Sequence, residues 1–177
     1  VGSEMCIRDS SLRVKTYLLF KPPFMSEGDA LEHTISWVSE VSKISDEVSI
    51  NPMNIQRGTI VDRLFRNREY RPPWLWSLVE MIIRTHDDVS KTDCRVIVHP
   101  TAGGKARGSH NCGSCDSEVV AAIERYSVSG NLGEFNGLEC ECKKVWLSEI
   151  QNDSALPTPM GSGIHRRGNA LDRLRSP

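Results

Sequence analysis

Three short β-prone runs, each stopped by proline, place the main constraint on what this chain can fold into. They are Val14–Phe20 before Pro22 and Pro23, Glu47–Ile50 before Asn51 and Pro52, and Arg95–His99 before Pro100. Between them the apolar residues recur at helical spacing. Leu31, Ile35 and Val38, flanked by Trp37 and Val41, follow Ser26, which with Asp29 three residues on resembles a capping box. Gly58 and Thr59 open a second helix with Ile60, Val61, Leu64 and Phe65 inward. Arg71-Pro72-Pro73-Trp74 opens a third, with Leu75, Leu78, Val79, Ile82 and Ile83 on its apolar face. Strand, helix, strand, helix, strand is the order of an α/β fold with parallel strands. The apolar residues of Val14–Phe20 fall on both faces, which predicts a strand covered on both sides.

From Thr101 the texture changes. Thr101–Ser109 is glycine-rich and basic, two cysteine pairs follow, and Asp116–Tyr126 reads as a short helix with Val119, Val120 and Ile123 inward. After Glu149 the chain turns to Asn, Ser, Pro and Gly and ends on Arg166, Arg167, Arg173 and Arg175. The expected division is an α/β part over 11–100, a Cys-rich metal-binding subdomain over 101–150 and a disordered basic tail over 151–177. Residues 1–10 show neither periodicity and resemble a translated sequencing-adapter remnant, so the native upstream sequence is expected to be missing.

A formal net charge of −1 means that any basic surface must be local. No apolar run approaches the roughly 20 residues of a membrane span, and no leader pattern is present, so the expectation is a cytoplasmic protein without a membrane partner.

Cysteine chemistry sharpens the picture. Cys112-x2-Cys115 and Cys140-x-Cys142 form two close pairs separated by two dozen residues, whereas Cys6 and Cys94 stand alone. In a chain without a secretion signal such pairs argue for metal before disulfide. Four thiolates suit zinc in a tetrahedral site that fastens a small subdomain; an iron–sulfur cluster and unliganded thiols are the alternatives. His110 is either a substitute ligand or an RNA-facing residue.

Gly103-Gly104-Lys105 fails the phosphate-loop pattern, because the upstream glycine is absent and Ala106 stands where a magnesium-binding hydroxyl belongs. What remains is a flexible loop in which Lys105 and Arg107 either meet an RNA phosphate or are simply solvated. Lys21, Asn51, Asn54, Gln56 and Arg57 follow predicted strands, where parallel α/β folds build their sites. Trp74 and Trp76 offer either a stacking surface for a base or core.

Taken in order, Lys21–Glu27, Ser49–Thr59, Glu69–Trp76, Arg107–Asp116 and Cys140–Lys143 resemble the radical S-adenosylmethionine (radical-SAM) family of archaeosine synthase, which is related to the Elongator Elp-three-like radical-SAM proteins. The likeness covers roughly residues 12–147. It implies the C-terminal strands and helices of a partial (βα) radical-SAM barrel, joined to the four-cysteine subdomain. It further implies S-adenosylmethionine and a [4Fe–4S] cluster as cofactors, and a lyase step on transfer RNA. With a partner subunit that attaches lysine to preQ0 at position fifteen of tRNA, the family cleaves the lysine adduct to leave the formamidine of archaeosine. Asn51, Asn54 and Gln56 then fall on the SAM or substrate side of the barrel mouth, with Lys21, Arg57, Lys105, Arg107 and His110 toward substrate or RNA. The sequence departs from the family in one respect. The Cys-x3-Cys-x2-Cys loop that holds the family's cluster does not occur in these 177 residues, so this chain alone is expected to be inert. The other expectation is a zinc-containing RNA-binding or subunit-docking module without catalytic activity.

Overall fold

The computed structural model describes residues 12–155. Strands β1 (Lys15–Phe20), β2 (Glu47–Pro52) and β3 (Arg95–Val98) pair in parallel in that order. Thr16 lies opposite Val48, which lies opposite Val96; Leu18, Ile50 and Val98 form the next such row. Parallel pairing follows from the connections, since each strand is followed by helix before the next. Helix α1 (Glu27–Val41) joins β1 to β2, and α2 (Ile60–Arg66) and α3 (Leu75–Val89) join β2 to β3. Helix α4 (Asp116–Ser129), a 3-10 turn at Leu132–Phe135 and α5 (Cys142–Ala155) complete the described chain.

The helices start where the local chemistry predicts. The Ser26 hydroxyl accepts from the Asp29 N–H at 3.1 Å, and the Thr59 hydroxyl from Asp62 at 3.2 Å, so both are true N-caps. Trp74 caps α3 without a side-chain bond of its own. Carboxylate Glu27 instead accepts the Trp74 N–H at 2.9 Å, and Asn111 Oδ1 accepts that of Trp76 at 3.2 Å. Residues distant in sequence thus satisfy the orphan donors of this helix.

One core runs from Phe20 through Leu31, Ile50, Leu75, Leu78 and Ile82 to Val119, Ile123 and Trp146. The cysteine-bearing region therefore shares its core with the sheet. Each fully buried side chain of this kind contributes about 1.5–3 kcal/mol. Phe20, Val48, Ile50, Val96 and Val98 face this core. By strand alternation Tyr17, Leu19, Ser49, Asn51 and Ile97 lie on the opposite face.

Several sequence expectations change here. Among the described residues β1 is not covered on both sides, because Lys15, Tyr17 and Leu19 are exposed. Ile60 is 53% exposed, being the first residue of a seven-residue helix whose buried residues are Asp62 and Leu64. Ile83 is 44% exposed because it lies about 100° around the helix from Ile82, at the margin of the apolar stripe. Residues 151–155 continue α5, a helix that the cysteine pattern had hidden. The adapter-like residues 1–10 and the rest of the expected tail lie outside the described residues.

The outer edges of the sheet differ. Ser127 on α4 closes that of β3: its hydroxyl accepts the Val98 N–H at 2.9 Å and donates to the Val98 carbonyl at 3.0 Å. Among the described residues no strand pairs with the outer edge of β1.

Candidate metal centre

Cys112 and Cys115 sit on the turn that enters α4, and Gly113 between them takes φ +94°, which a side chain would resist. Asp116, in the first turn of α4, fixes this turn by accepting the N–H groups of Asn111 at 3.0 Å and Gly113 at 3.2 Å. Cys140 lies just before α5 and Cys142 begins it. Packing of Phe135, Leu138 and Trp146 into the common core brings the second pair to the first.

The four sulfurs all lie within 4.8 Å of one another. Cys112 stands 4.0 Å from Cys115 and 3.7 Å from Cys140, and Cys115 stands 3.7 Å from Cys142. Four thiolates around one zinc, at a Zn–S bond of about 2.3 Å, have sulfurs about 3.8 Å apart. A four-iron cluster interposes a cube of iron and sulfide and would hold its thiolates roughly 6 Å apart. The quartet thus fits a single metal ion such as zinc and not a [4Fe–4S] cluster. His110 is not part of the convergent group; its Nδ1 faces the Gly108 carbonyl at 2.9 Å.

Hydrogen bonds prepare the sulfurs unequally. The N–H groups of Ser114 and Cys115 bond the Cys112 sulfur and bring its thiol down to about 6. Burial pushes Cys115 up, and it pushes Cys142 well up against the opposing hydrogen bond from Trp76. Trp76 Nε1 donates to the Cys142 sulfur at 3.2 Å, and Asn111 Nδ2 to that of Cys115 at 3.4 Å. Such donors orient metal-binding thiolates and offset their charge. Sequence reasoning gave Asn111 no role and read Trp76 only as core or stacking surface. The pairing of Trp76 with Cys142 spans 66 residues, which no local pattern encodes, whereas Asn111 stands only 4 residues before Cys115 and its position beside the cysteine pair was the available signal.

The other predicted residues gather at the C-terminal end of the strands, but in different states. Lys21 is buried, and its ammonium meets Glu27 at 2.5 Å. Asn51 and Asn54 are half-buried, and Gln56 and Arg57 are exposed. Asn51 Nδ2 donates to the Ser49 carbonyl at 3.3 Å. Arg107 folds back to donate through Nε to the Ile55 carbonyl and through Nη2 to Asp62. Lys105 is exposed, and the loop's N–H groups at Gly104, Lys105 and Gly108 already bond to Ser109, Ala102 and Lys105 carbonyls. The loop is therefore not an open phosphate cradle. Its glycines serve close packing: a Cβ on Gly108 would lie 2.2 Å from the Ala102 carbonyl oxygen. Trp74 and Trp76 are core, 7% and 2% exposed, with the Arg71 guanidinium 3.8 Å above the Trp74 ring.

Relatives match most of the length of this chain. Archaeosine synthase subunit beta of Methanosarcina acetivorans is 35% identical over 148 residues, covering 83% of this chain and 42% of the relative. Archaeosine synthase subunit beta of Thermococcus kodakarensis is 38% identical over 141 residues, 79% of this chain and 43% of the relative. The chain is similar to archaeosine synthase subunit beta. An uncharacterized protein of Methanocaldococcus jannaschii is 28% identical over 159 residues, 87% of this chain and 42% of that protein. The chain thus spans less than half the length of the curated relatives it matches. No family model matches it, and no solved structure does. No helix among the described residues is long and apolar enough to cross a membrane.

Proposed function

We propose that this chain is part of the radical-SAM lyase subunit of an archaeosine-forming complex, which converts the lysine adduct of preQ0 in tRNA to archaeosine. The observation that carries the reading is the 35–38% identity to two archaeosine synthase beta subunits over about four-fifths of the chain. The ordered motifs from Lys21 to Lys143 support the radical-SAM assignment, and the proposed partner is the lysine-transferring subunit.

The fold supports a place for this chain within a larger sheet. The three strands would belong to a partial (βα) barrel, with Ser127 capping the outer edge of β3 at Val98 and further strands adding at β1. The sheet face carrying Tyr17, Leu19, Ser49, Asn51 and Ile97 would then be the barrel interior, with Asn51, Asn54 and Gln56 at its mouth on the SAM or substrate side. S-adenosylmethionine and a [4Fe–4S] cluster would supply a carbon radical. The residues present do not fit the cluster, because the quartet is too tight and the cysteine triplet is not in this sequence. This chain's own residues would shape the mouth on the SAM or substrate side. Zinc at the quartet has a structural role, tying α4 and α5 to the sheet.

The test is reconstitution of the full gene product with the lysine-transferring subunit and preQ0-containing tRNA, reading archaeosine by nucleoside mass spectrometry. Archaeosine formation, with a Cys-x3-Cys-x2-Cys loop encoded in frame upstream of Leu12, is the expected result. A gene without that loop, and a product that binds tRNA but makes no archaeosine, would leave the zinc-containing docking module instead.

A further inference from the structure

The loop after β2 and the short α2 concentrate positive charge in a chain whose net charge is −1. Residues 57–68 hold Arg57, Arg63, Arg66 and Arg68 against one acid, Asp62, and that acid is 1% exposed. Asp62 is shared between two guanidinium groups. Arg66 Nη2 donates to its Oδ2 at 2.6 Å, and Arg107 Nη2 reaches Oδ1 from the glycine loop. The Gly58 N–H adds a third donor to Oδ2 at 3.0 Å. Arg107 is further held by its Nε bond to the Ile55 carbonyl and stands over the Phe65 ring, 5.6 Å from its centroid. The satellite cluster of Ile55, Leu64 and Tyr70 lies under α2 and keeps the helix seated.

One carboxylate neutralises one of the two cations and positions both. Each guanidinium has more N–H donors than these bonds occupy. Arg66 is 66% exposed at its side chain, so donors remain available to an incoming anion without a search over rotamers. Arg57 and Arg68 flank the pair and are exposed; Arg63 and Glu69 have partners of their own. The whole surface lies at the C-terminal end of the strands, beside the proposed barrel mouth, where a base displaced from its RNA would enter.

We infer that Arg66 and Arg107, held on the buried Asp62 carboxylate, form together with Arg57 and Arg68 a docking surface for the phosphate backbone of RNA. The inference rests on the tRNA reading above and adds to it the residues that grip the nucleic acid. Recognition here is of backbone charge and not of bases, so it sets position and affinity but carries no sequence information.

The experiment uses the full gene product and an end-labelled tRNA transcript, with the association constant measured between 50 and 200 mM salt. The triple substitution Arg57→Gln/Arg66→Gln/Arg68→Gln should lower the slope of log K against log salt by about 2–3, or about one for each phosphate left without its arginine. Affinity at the low-salt end should fall at least tenfold. The charge-matched control Lys43→Gln/Arg84→Gln/Lys91→Gln, at sites next to α1, on α3 and just after α3, should leave the slope within about half a unit. Arg57→Lys/Arg66→Lys/Arg68→Lys should restore most of the slope. Equal losses in the two triples, or no loss in the first, would overturn the docking surface while leaving the tRNA reading in place. A wild-type product that binds no tRNA at the lowest salt would overturn both. A far-ultraviolet circular dichroism spectrum and a single cooperative urea transition confirm that the triple is folded; its midpoint should fall modestly, because Arg66→Gln removes one of the two guanidinium partners of Asp62 while Arg107 and the Gly58 N–H remain.

Discussion

Lys21 and Glu27 form an ion pair whose side chains are 6% and 0% exposed, and breaking it gives the most informative single test of the fold. The Glu27 carboxylate accepts the ammonium at 2.5 Å on one oxygen, with the Trp74 N–H at 2.9 Å and the Ser77 hydroxyl at 2.5 Å on the other. Ser77 in turn accepts from Trp146 Nε1 at 2.8 Å, so β1, α1, α3 and α5 meet at this carboxylate. Glu27→Gln keeps the shape but leaves a buried ammonium without its counter-ion. Lys21→Met keeps the stem but leaves the carboxylate with neutral donors only. Removing one partner of a buried pair costs about 3–5 kcal/mol. With a urea slope of about 2 kcal/mol/M, each substitution should lower the midpoint by about 1.5–2.5 M. The double variant should cost less than the sum by about 2 kcal/mol, because it leaves no lone charge. Equilibrium urea unfolding followed by far-ultraviolet circular dichroism measures all four corners of the cycle. Single costs below about 1 kcal/mol, or strict additivity, would refute the pair as a structural hub. Loss of tRNA processing by Lys21→Met with stability intact would instead identify Lys21 as a substrate contact.

Removing the metal should cost at least the chain entropy of the loop that it closes, about 3 kcal/mol for roughly 25 residues; Cys140→Ser should show this as lost zinc in elemental analysis and as a lower Tm no longer sensitive to chelator. Unchanged metal content would show that the quartet is not a site. Asp62 binds fewer protons folded than unfolded, because the Gly58 N–H and then Arg107 hold its carboxyl well below the usual range. Its stabilising contribution is therefore present above the unfolded value near 4 and is lost as pH falls toward the folded value; Asp62→Asn should flatten the acid limb of stability against pH. Ser127→Ala should cost about 1–3 kcal/mol by leaving the Val98 N–H and carbonyl unsatisfied at the sheet edge, and amide exchange at Val98 should rise.

The fold was legible where its cause is local. Ser26 and Thr59 cap the helices that their positions predicted, and proline falls at or just beyond the end of each strand. The convergence of the four cysteines was legible because paired cysteine spacing matches what a shared metal ion requires. What the sequence did not show depended on distant neighbours. Lys21, at a strand end that invites a ligand, is held by Glu27 through the packing of α1 against β1. Arg107, in a loop that suggested phosphate, is folded onto Asp62, 45 residues away. The exposure of Tyr17 and Leu19 follows from what lies beside β1, and strand periodicity carries no information about that.

The hydrogen bond from Trp76 to the Cys142 sulfur has an optical consequence. An indole beside a thiol is quenched by it, and exchanging the thiol proton for a metal ion changes that quenching. Trp37, 49% exposed on α1, emits from water and lies at the red end, while buried Trp76 contributes at the blue end together with the buried Trp74 and Trp146. Filling and emptying of the metal centre should therefore be readable in the blue edge of the protein's own fluorescence, with no label attached.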